Sequence, residues 1–368
     1  MTPCTECLRR AALIGMLSPR ITGELADRRR SGPLLALNDV ALVDRVGGAM
    51  KPAARTMLRT FDRASALDAL DAAGLHGVCR HEPEYPQRLF ELVDPPALLH
   101  STAAPSLLAD LCAGPAAAVV GTRRASSYGL EVAAALGRGL AAAGVTVVSG
   151  LALGIDAAAH RGAVEAGGKT VAVLGCGADV PYPRTNSALY ARIRASGALV
   201  AELPPGARPA RWTFPARNRI MAGIAAATVV VEAAERSGSL ITVGFAQDLG
   251  REVCAVPGRV TSRIAAGANQ LLLEGAHPVR GAADVLDVLF GAGGWDTGAL
   301  RRQEADPASD LEPGLRAVLR AVEGGEPLDE AAGRASLTAG GLRAALGRLE
   351  LLGLIRRDGL GSYERTAA

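Results

Sequence analysis

From residue 116 onward the chain alternates short apolar runs with longer Ala/Leu stretches, and this alternation constrains the fold more than any other feature. The runs are Ala117–Gly121, Val145–Ser149, Thr170–Gly175, Ala198–Glu202, Thr228–Glu232, Val253–Val256 and a short one at His277–Val279. They are rich in Val and apolar throughout, as expected of strands covered on both faces. The stretches between them read as helices near 128–143, 154–167, 185–196, 217–226, 239–250 and 268–275. Strands alternating with helices imply right-handed βαβ units. The expected fold class is therefore α/β: an extended Rossmann-like, doubly wound and mostly parallel sheet, spanning residues 79–290.

The flanks read differently. Residues 1–78 are expected to form a helical amino-terminal domain, with apolar positions at helical spacing in Leu8–Leu17 and Ala64–Ala73. The Pro-rich stretch 80–114 reads as an extended connector followed by a short helix. Residues 291–310 read as a linker. Residues 311–368 suggest a winged-helix-like domain: helices in Leu315–Val322, Leu328–Ser336 and Thr338–Leu352, then a hairpin over Leu354–Glu364 turning at Asp358–Gly359. Hydrophobic residues make up 49% of the chain, yet no apolar run has the length a membrane span requires. Cys4, Glu6 and Arg9 interrupt the start where a secretory signal would be apolar. The expectation is a soluble cytoplasmic protein. Six cysteines in a chain this long do not make a disulfide framework.

The net charge of +3 hides an asymmetry, because residues 117–280 carry 17 Arg and Lys against 10 Asp and Glu. That excess points to an anionic ligand on the sheet domain, with a solvated basic surface as the plainer alternative. In an open parallel sheet, ligands bind at the carboxyl ends of the strands. The residues at and after those ends are Gly121, Thr122 and Arg123; Ser149 and Gly150; Gly175-Cys176-Gly177 leading to Tyr182, Arg184 and Asn186; Arg211, Trp212 and Phe214, then Arg217, Asn218 and Arg219; and Ser237, Gly238, Ser239 and Thr242. Glycines allow close backbone approach, hydroxyls and helix-start N–H groups donate, and arginines supply forked positive donors. Five such loops suit a row of phosphates better than one pyrophosphate. Aromatics among them suit base stacking. There is no GxxxxGK[ST], and Val180 stands where a GxGxxG would place its last glycine.

The ordered set VVGTRRASSYG, SGLALGIDAAAH, GGKTVAVLGCGADVPYPRTN, FPARNRIMAG, VVVEAAERSGSLIT, GREVCAVPG and GANQLLLEGA, with EYPQRLFELVDPPALLH upstream, resembles the DprA/Smf (DNA-processing) family over residues 84–280. Departures are mild: Ala201, Val243 and Ala268 stand where the family often has Ser, Ala and Pro. The resemblance implies a non-catalytic protein that binds and shields incoming single-stranded DNA, helps load RecA in natural transformation and recombination, and works as a homodimer. It also implies DNA contacts at Arg123, Arg184, Arg211 and Phe214.

Several residues carry two readings. Asp156 and His160 are spaced to form an acid–base pair, or a helix cap and its packed neighbour. Glu202 and Glu232 could serve a hydrolase, or hold a neighbouring arginine. Of Arg217, Asn218 and Arg219, one arginine could instead face a carboxylate inside the fold. A nucleotide-processing enzyme, of the nucleoside-monophosphate hydrolase type, is the competing function. It would want a Pro-Gly-Gly-x-Gly-Thr loop where this chain has Ser237–Thr242. No cofactor is required by the leading reading. Cys4, Cys7, Cys79 and His81 nevertheless offer a structural zinc's ligand types, the alternative being a buried Cys79 and an exposed His81. Leu271 and Leu272 are apolar beyond what a surface helix needs, and are candidates for a dimer or RecA contact or for the core.

Overall fold

The computed structural model describes residues 2–24, 32–295, 311–357 and 361–366. Among them the chain packs as two compact units, Met1–Trp295 and Asp296–Ala368. In the first, nine strands form one sheet: β1 (His76–Cys79), β2 (Leu98–Ser101), β3 (Ala116–Val120), β4 (Thr146–Ser149), β5 (Thr170–Val173), β6 (Ala198–Ala201), β7 (Ala227–Val230), β8 (Glu252–Ala255) and β9 (His277–Pro278). Their spatial order is β1-β2-β6-β5-β4-β3-β7-β8-β9. Every neighbouring pair from β6 to β9 is parallel, while β2 runs antiparallel to both β1 and β6.

The central strands β3 to β7 are buried at every residue, and this explains their unbroken apolar sequence. The chain lays down β3 to β6 in one direction, then returns to place β7 on the other side of β3. The sheet is thus doubly wound and Rossmann-like, and its topological switch point falls between β3 and β7, where a crevice opens at the carboxyl ends. Strands β1 and β2, at one end of the sheet, lie where the sequence suggests a helical domain boundary and an extended connector. They are short, and they continue the sheet by antiparallel pairing.

The helices Thr5–Glu24, Asp39–Val46, Lys51–Arg59 and Arg63–Ala73 precede the sheet. Leu13, Leu17 and Ile21 on the first of these join Leu42 and Val43 in a core cluster that also holds Leu203, Trp212 and Ala216 from beyond β6. Burying each such side chain contributes about 1.5–3 kcal/mol. Helix Thr5–Glu24 approaches the sheet domain closely at Gly15, where an added Cβ would lie 2.6 Å from Pro204 Cγ. Trp212 Nε1 donates to Ser18 Oγ at 3.0 Å. Among the described residues no helix is long and apolar enough to cross a membrane.

Among its described residues the second unit has three helices, Pro313–Gly324, Leu328–Arg334 and Ala339–Leu351, followed by β10 (Ile355–Arg357) and β11 (Tyr363–Arg365), which pair antiparallel. Leu315, Val318, Leu319, Leu346 and Leu349 fill its core. The turn expected at Asp358–Gly359 lies outside the described residues, as does most of the expected linker, from 296 to 310.

Candidate nucleic-acid interface

The carboxyl ends of β3, β4 and β7 are laced together by their backbones. Thr122 N donates to the carbonyl of Glu232 at 2.7 Å, and Ile155 N donates to the carbonyl of Thr122 at 3.3 Å. Gly154 has φ +80°, and a Cβ there would lie 2.3 Å from the Thr122 carbonyl oxygen. Only glycine meets both conditions. Glu232 accepts from Ser126 N (2.9 Å) and Ser126 Oγ (2.5 Å), which fixes the start of helix Ser127–Ala142. Its role is structural, and so is that of Glu202.

A cleft of about 210 Å³ opens over these ends, lined by Gly121, Arg123, Asp156, Phe214, Arg217, Asn218, Ser237, Gly238, Ser239 and Thr242 among others. It sits at the switch point between β3 and β7. Phe214 lies in the first turn of helix Thr213–Ile224, which starts four residues earlier than the spacing suggests. Pro215 is compatible with that first turn, where its missing N–H has no helical partner to lose. Thr213 Oγ1 donates to the Gly175 carbonyl at 2.5 Å, and a Cβ at Gly175 would stand 3.1 Å from the Phe214 ring. Gly175, the first glycine of the failed dinucleotide fingerprint, thus serves as the seat of Phe214.

The Arg123 guanidinium lies over the Phe214 ring, 4.9 Å from its centroid. The ring of Tyr182 lies 5.9 Å from Phe214, tilted by 39°. Tyr182 is exposed, so one arginine and two aromatics form a half-open platform at the mouth of the cleft. In the sequence Tyr182 stands out only as one aromatic among the strand-end loops; its proximity to Phe214 depends on the fold.

Burial divides the arginines. Arg123, Arg184 and Arg211 are exposed, and their side chains make no hydrogen bond or ion pair among the described residues. Arg217 and Arg219 are buried at 6% and 0% exposure. Arg219 lies between Asp94 (Nε to Oδ2, 2.9 Å) and Glu202 (Nη2 to Oε1, 2.8 Å). It is the arginine that faces carboxylates inside the fold, and the expectation that it touches a ligand is corrected: it has no surface to offer. Arg217 donates to the carbonyls of Gly150 (2.6 Å) and Val173 and lies 3.6 Å from Asp156. Arg217 is nonetheless among the residues that line the cleft. Burial pushes the Asp156 carboxyl up and the Arg217 guanidinium down, each opposed by the other's charge.

The hydroxyl of Ser149 is buried and donates to the Val119 carbonyl at 2.6 Å. Gly150 N donates to Asp156 Oδ2 at 3.2 Å, and a Cβ at Gly150 would collide with the Arg217 guanidinium. Neither residue lines the cleft; Gly150 supports Arg217 by accepting from its guanidinium, and Ser149 is tied to β3. Asn186 donates to the Leu151 carbonyl at 3.0 Å and steadies the loop after β4. Asn218 Nδ2 donates to the Gly238 carbonyl at 3.2 Å. Ser237 and Ser239 share a hydrogen bond of 2.7 Å at the start of helix Ser239–Asp248. Thr242 is buried on the cleft wall, and its Oγ1 has no partner among the described residues.

His160 does not pair with Asp156. Its Nδ1 meets Thr170 Oγ1 at 2.7 Å, and full burial lowers its pKa to about 3. Leu271 is a core residue at 7% exposure, Leu272 packs against the same core, and Leu273 is the leucine that faces solvent, at 83%. Leu271 is thus unavailable as a docking contact, because its side chain is spent on the core. The cluster of Cys4, Cys7, Cys79 and His81 does come together, at the start of the first helix and the end of β1.

The model of the family described as DNA recombination-mediator protein A matches residues 76–290. The DprA homologue of Mycobacterium tuberculosis is 39% identical over 259 residues, 69% of this chain and 65% of that protein. The match thus spans just under two thirds of that relative's length. The crystal structure of DprA from Streptococcus pneumoniae is 33% identical, with a TM-score of 0.62 over 78% of this chain and 99% of that one. A structure of DprA from Helicobacter pylori, described for its single-stranded DNA binding mode, is 26% identical, with a TM-score of 0.52 over 59% of this chain and 97% of that one. An extended Rossmann-like sheet carrying this ordered set of strand-end loops, and a family match over most of it, lead to one conclusion: the chain belongs to the DprA/Smf family, that of DNA recombination-mediator protein A.

Proposed function

We propose that this protein binds single-stranded DNA along the carboxyl edge of its sheet, shields it, and helps deliver it to RecA during natural transformation and recombination. The observation that carries the reading is the platform of Arg123, Phe214 and Tyr182 at the mouth of the switch-point cleft, flanked by the uncommitted arginines Arg184 and Arg211. Cations without internal partners suit phosphates, and a tilted aromatic pair suits unpaired bases, whose faces are open only in single strands. The description of the Helicobacter pylori relative as a single-stranded DNA binder supports the same ligand class.

The protein acts by binding, not by turnover. Of the residues lining the cleft only Asp156 is acidic, and it is already paired with Arg217. His160 is sealed in the core. A hydrolase of nucleoside monophosphates would need a free carboxylate there. The working form is a cytoplasmic homodimer, and the exposed Leu273 is the apolar residue of its helix available for a protein contact.

The test is a fluorescence-anisotropy titration with labelled oligo-dT, competed by duplex DNA and by thymidine monophosphate. The expected result is preference for oligo-dT with steep salt dependence. Equal competition by the monophosphate would favour the enzyme reading instead.

A further inference from the structure

We infer that Cys4, Cys7, Cys79 and His81 form a zinc(II) site that pins the first turn of helix Thr5–Glu24 to the carboxyl end of β1. Their ligand atoms all lie within 4.8 Å of one another. Cys4 Sγ is 3.3 Å and Cys7 Sγ 3.6 Å from His81 Nδ1. A tetrahedral zinc with Zn–S near 2.3 Å and Zn–N near 2.0–2.1 Å sets its ligand atoms about 3.5–3.8 Å apart, so the four groups need only small rotations to close on it. Three thiols and one imidazole are soft donors, which disfavours magnesium and calcium and fits zinc.

Two pieces of backbone present these ligands, and each is built for the task. Cys4 and Cys7 are three residues apart at a helix start, where Leu8 N donates to the Cys4 carbonyl at 3.2 Å, so both thiols fall on one side. After β1 the chain turns tightly. Glu82 N donates to the Cys79 carbonyl (2.9 Å), and Cys79 N donates to Glu82 Oε2 (2.7 Å). This turn brings His81 beside Cys79. The two pieces are also locked against each other independently of the ligands. A Cβ at Gly77, within β1, would lie 2.7 Å from Pro3 Cγ, and Arg63 Nη2, on the helix that leads into β1, donates to the Pro3 carbonyl at 3.1 Å. Cys7 and Cys79 are buried, Cys4 is partly exposed and His81 is exposed, so the site is dry on one side and open to metal entry on the other. The burial of Cys79 alone would need no partner. The convergence of all four does.

The site has a consequence along the helix it anchors. Later turns of Thr5–Glu24 carry Leu13, Leu17, Ser18 and Ile21, which hold Trp212 at the start of the helix that bears Phe214. A metal at the first turn therefore steadies that support. The zinc proposal itself does not depend on the proposed DNA binding.

The experiment uses the full chain, purified without a metal-binding tag or chelator. Elemental analysis is expected to find about one zinc per chain, and exchange with cobalt(II) is expected to give the visible bands of a tetrahedral thiolate site. Cys4→Ser and His81→Ala, at the two solvent-facing ligands, should each lose the metal, while Cys112→Ala, outside the cluster, should keep it. In a Trp295→Phe background, chelation should shift the emission of Trp212. Zinc well below one equivalent in the folded chain, or zinc unchanged in both ligand variants, overturns the proposal. If the variants fail to fold, the wild-type cobalt spectrum decides: absence of thiolate bands overturns it.

Discussion

Arginine chemistry at the carboxyl edge is decided by burial, residue by residue. Arg219 has two carboxylate partners and no exposure. Arg219→Met should therefore cost about 3–5 kcal/mol by leaving Asp94 and Glu202 buried without their cation, read as a fall in the urea midpoint. Arg123 and Phe214 are expected to behave in the opposite way, with stability nearly unchanged and binding lost. Phe214→Ala should weaken oligo-dT binding by about 1–3 kcal/mol. Arg123→Ala should weaken it and lower the slope of log affinity against log salt by about one. Two buried histidines set a pH dependence of stability. Burial lowers His100 to about 4 and His160 to about 3, below their ordinary 6.5. Both are neutral when folded, so protonation favours the unfolded chain. The stability they contribute is present above pH 6.5 and falls as pH drops, by at most about 1.4 kcal/mol per unit for each. The thermal midpoint should decline from pH 7 to 5, and His160→Gln should flatten that decline. At this scale the placement of Arg123, Arg184, Arg211 and Phe214 in the loops after strand ends is legible in the sequence. The sequence could not separate Arg217 from Arg219, since neither the Asp94 partner nor the burial is written locally.

At the scale of elements, the parallel strands were readable because burial on both faces forces an unbroken apolar run. The two antiparallel strands, β1 and β2, were not. His76–Cys79 and Leu98–Ser101 are four residues each, carry histidine and glycine or serine, and sit beside prolines that suggest a connector. The sequence pattern also places the start of helix Thr213–Ile224 too late, because Trp212 to Pro215 resembles a loop until the packing of Trp212 against the first helix is known. A tight junction joins the loop after β3 to the loop after β4 at Gly154. Gly154→Ala must distort a φ of +80° and relieve a 2.3 Å contact with the Thr122 carbonyl. It should cost about 1–3 kcal/mol and, by moving the 121–124 loop, reduce oligo-dT affinity as well. Parallel denaturation and anisotropy measurements on that variant check both.

For the whole molecule, the two compact units imply a division of labour. The cleft, the aromatic platform and the cysteine–histidine cluster all belong to residues 1–295. A chain ending at residue 295 is therefore expected to keep its affinity for oligo-dT, measured by the same titration as the full chain. The central claim is that single-stranded DNA lies across the carboxyl edge of the sheet at the switch point. Photocrosslinking of a 4-thiothymidine oligonucleotide to the full chain, with the attached peptides mapped by mass spectrometry, tests this most directly. Crosslinks are expected in the segments that hold Arg123, Tyr182 and Phe214. Crosslinks confined to residues 311–366, with none on that edge, would contradict it.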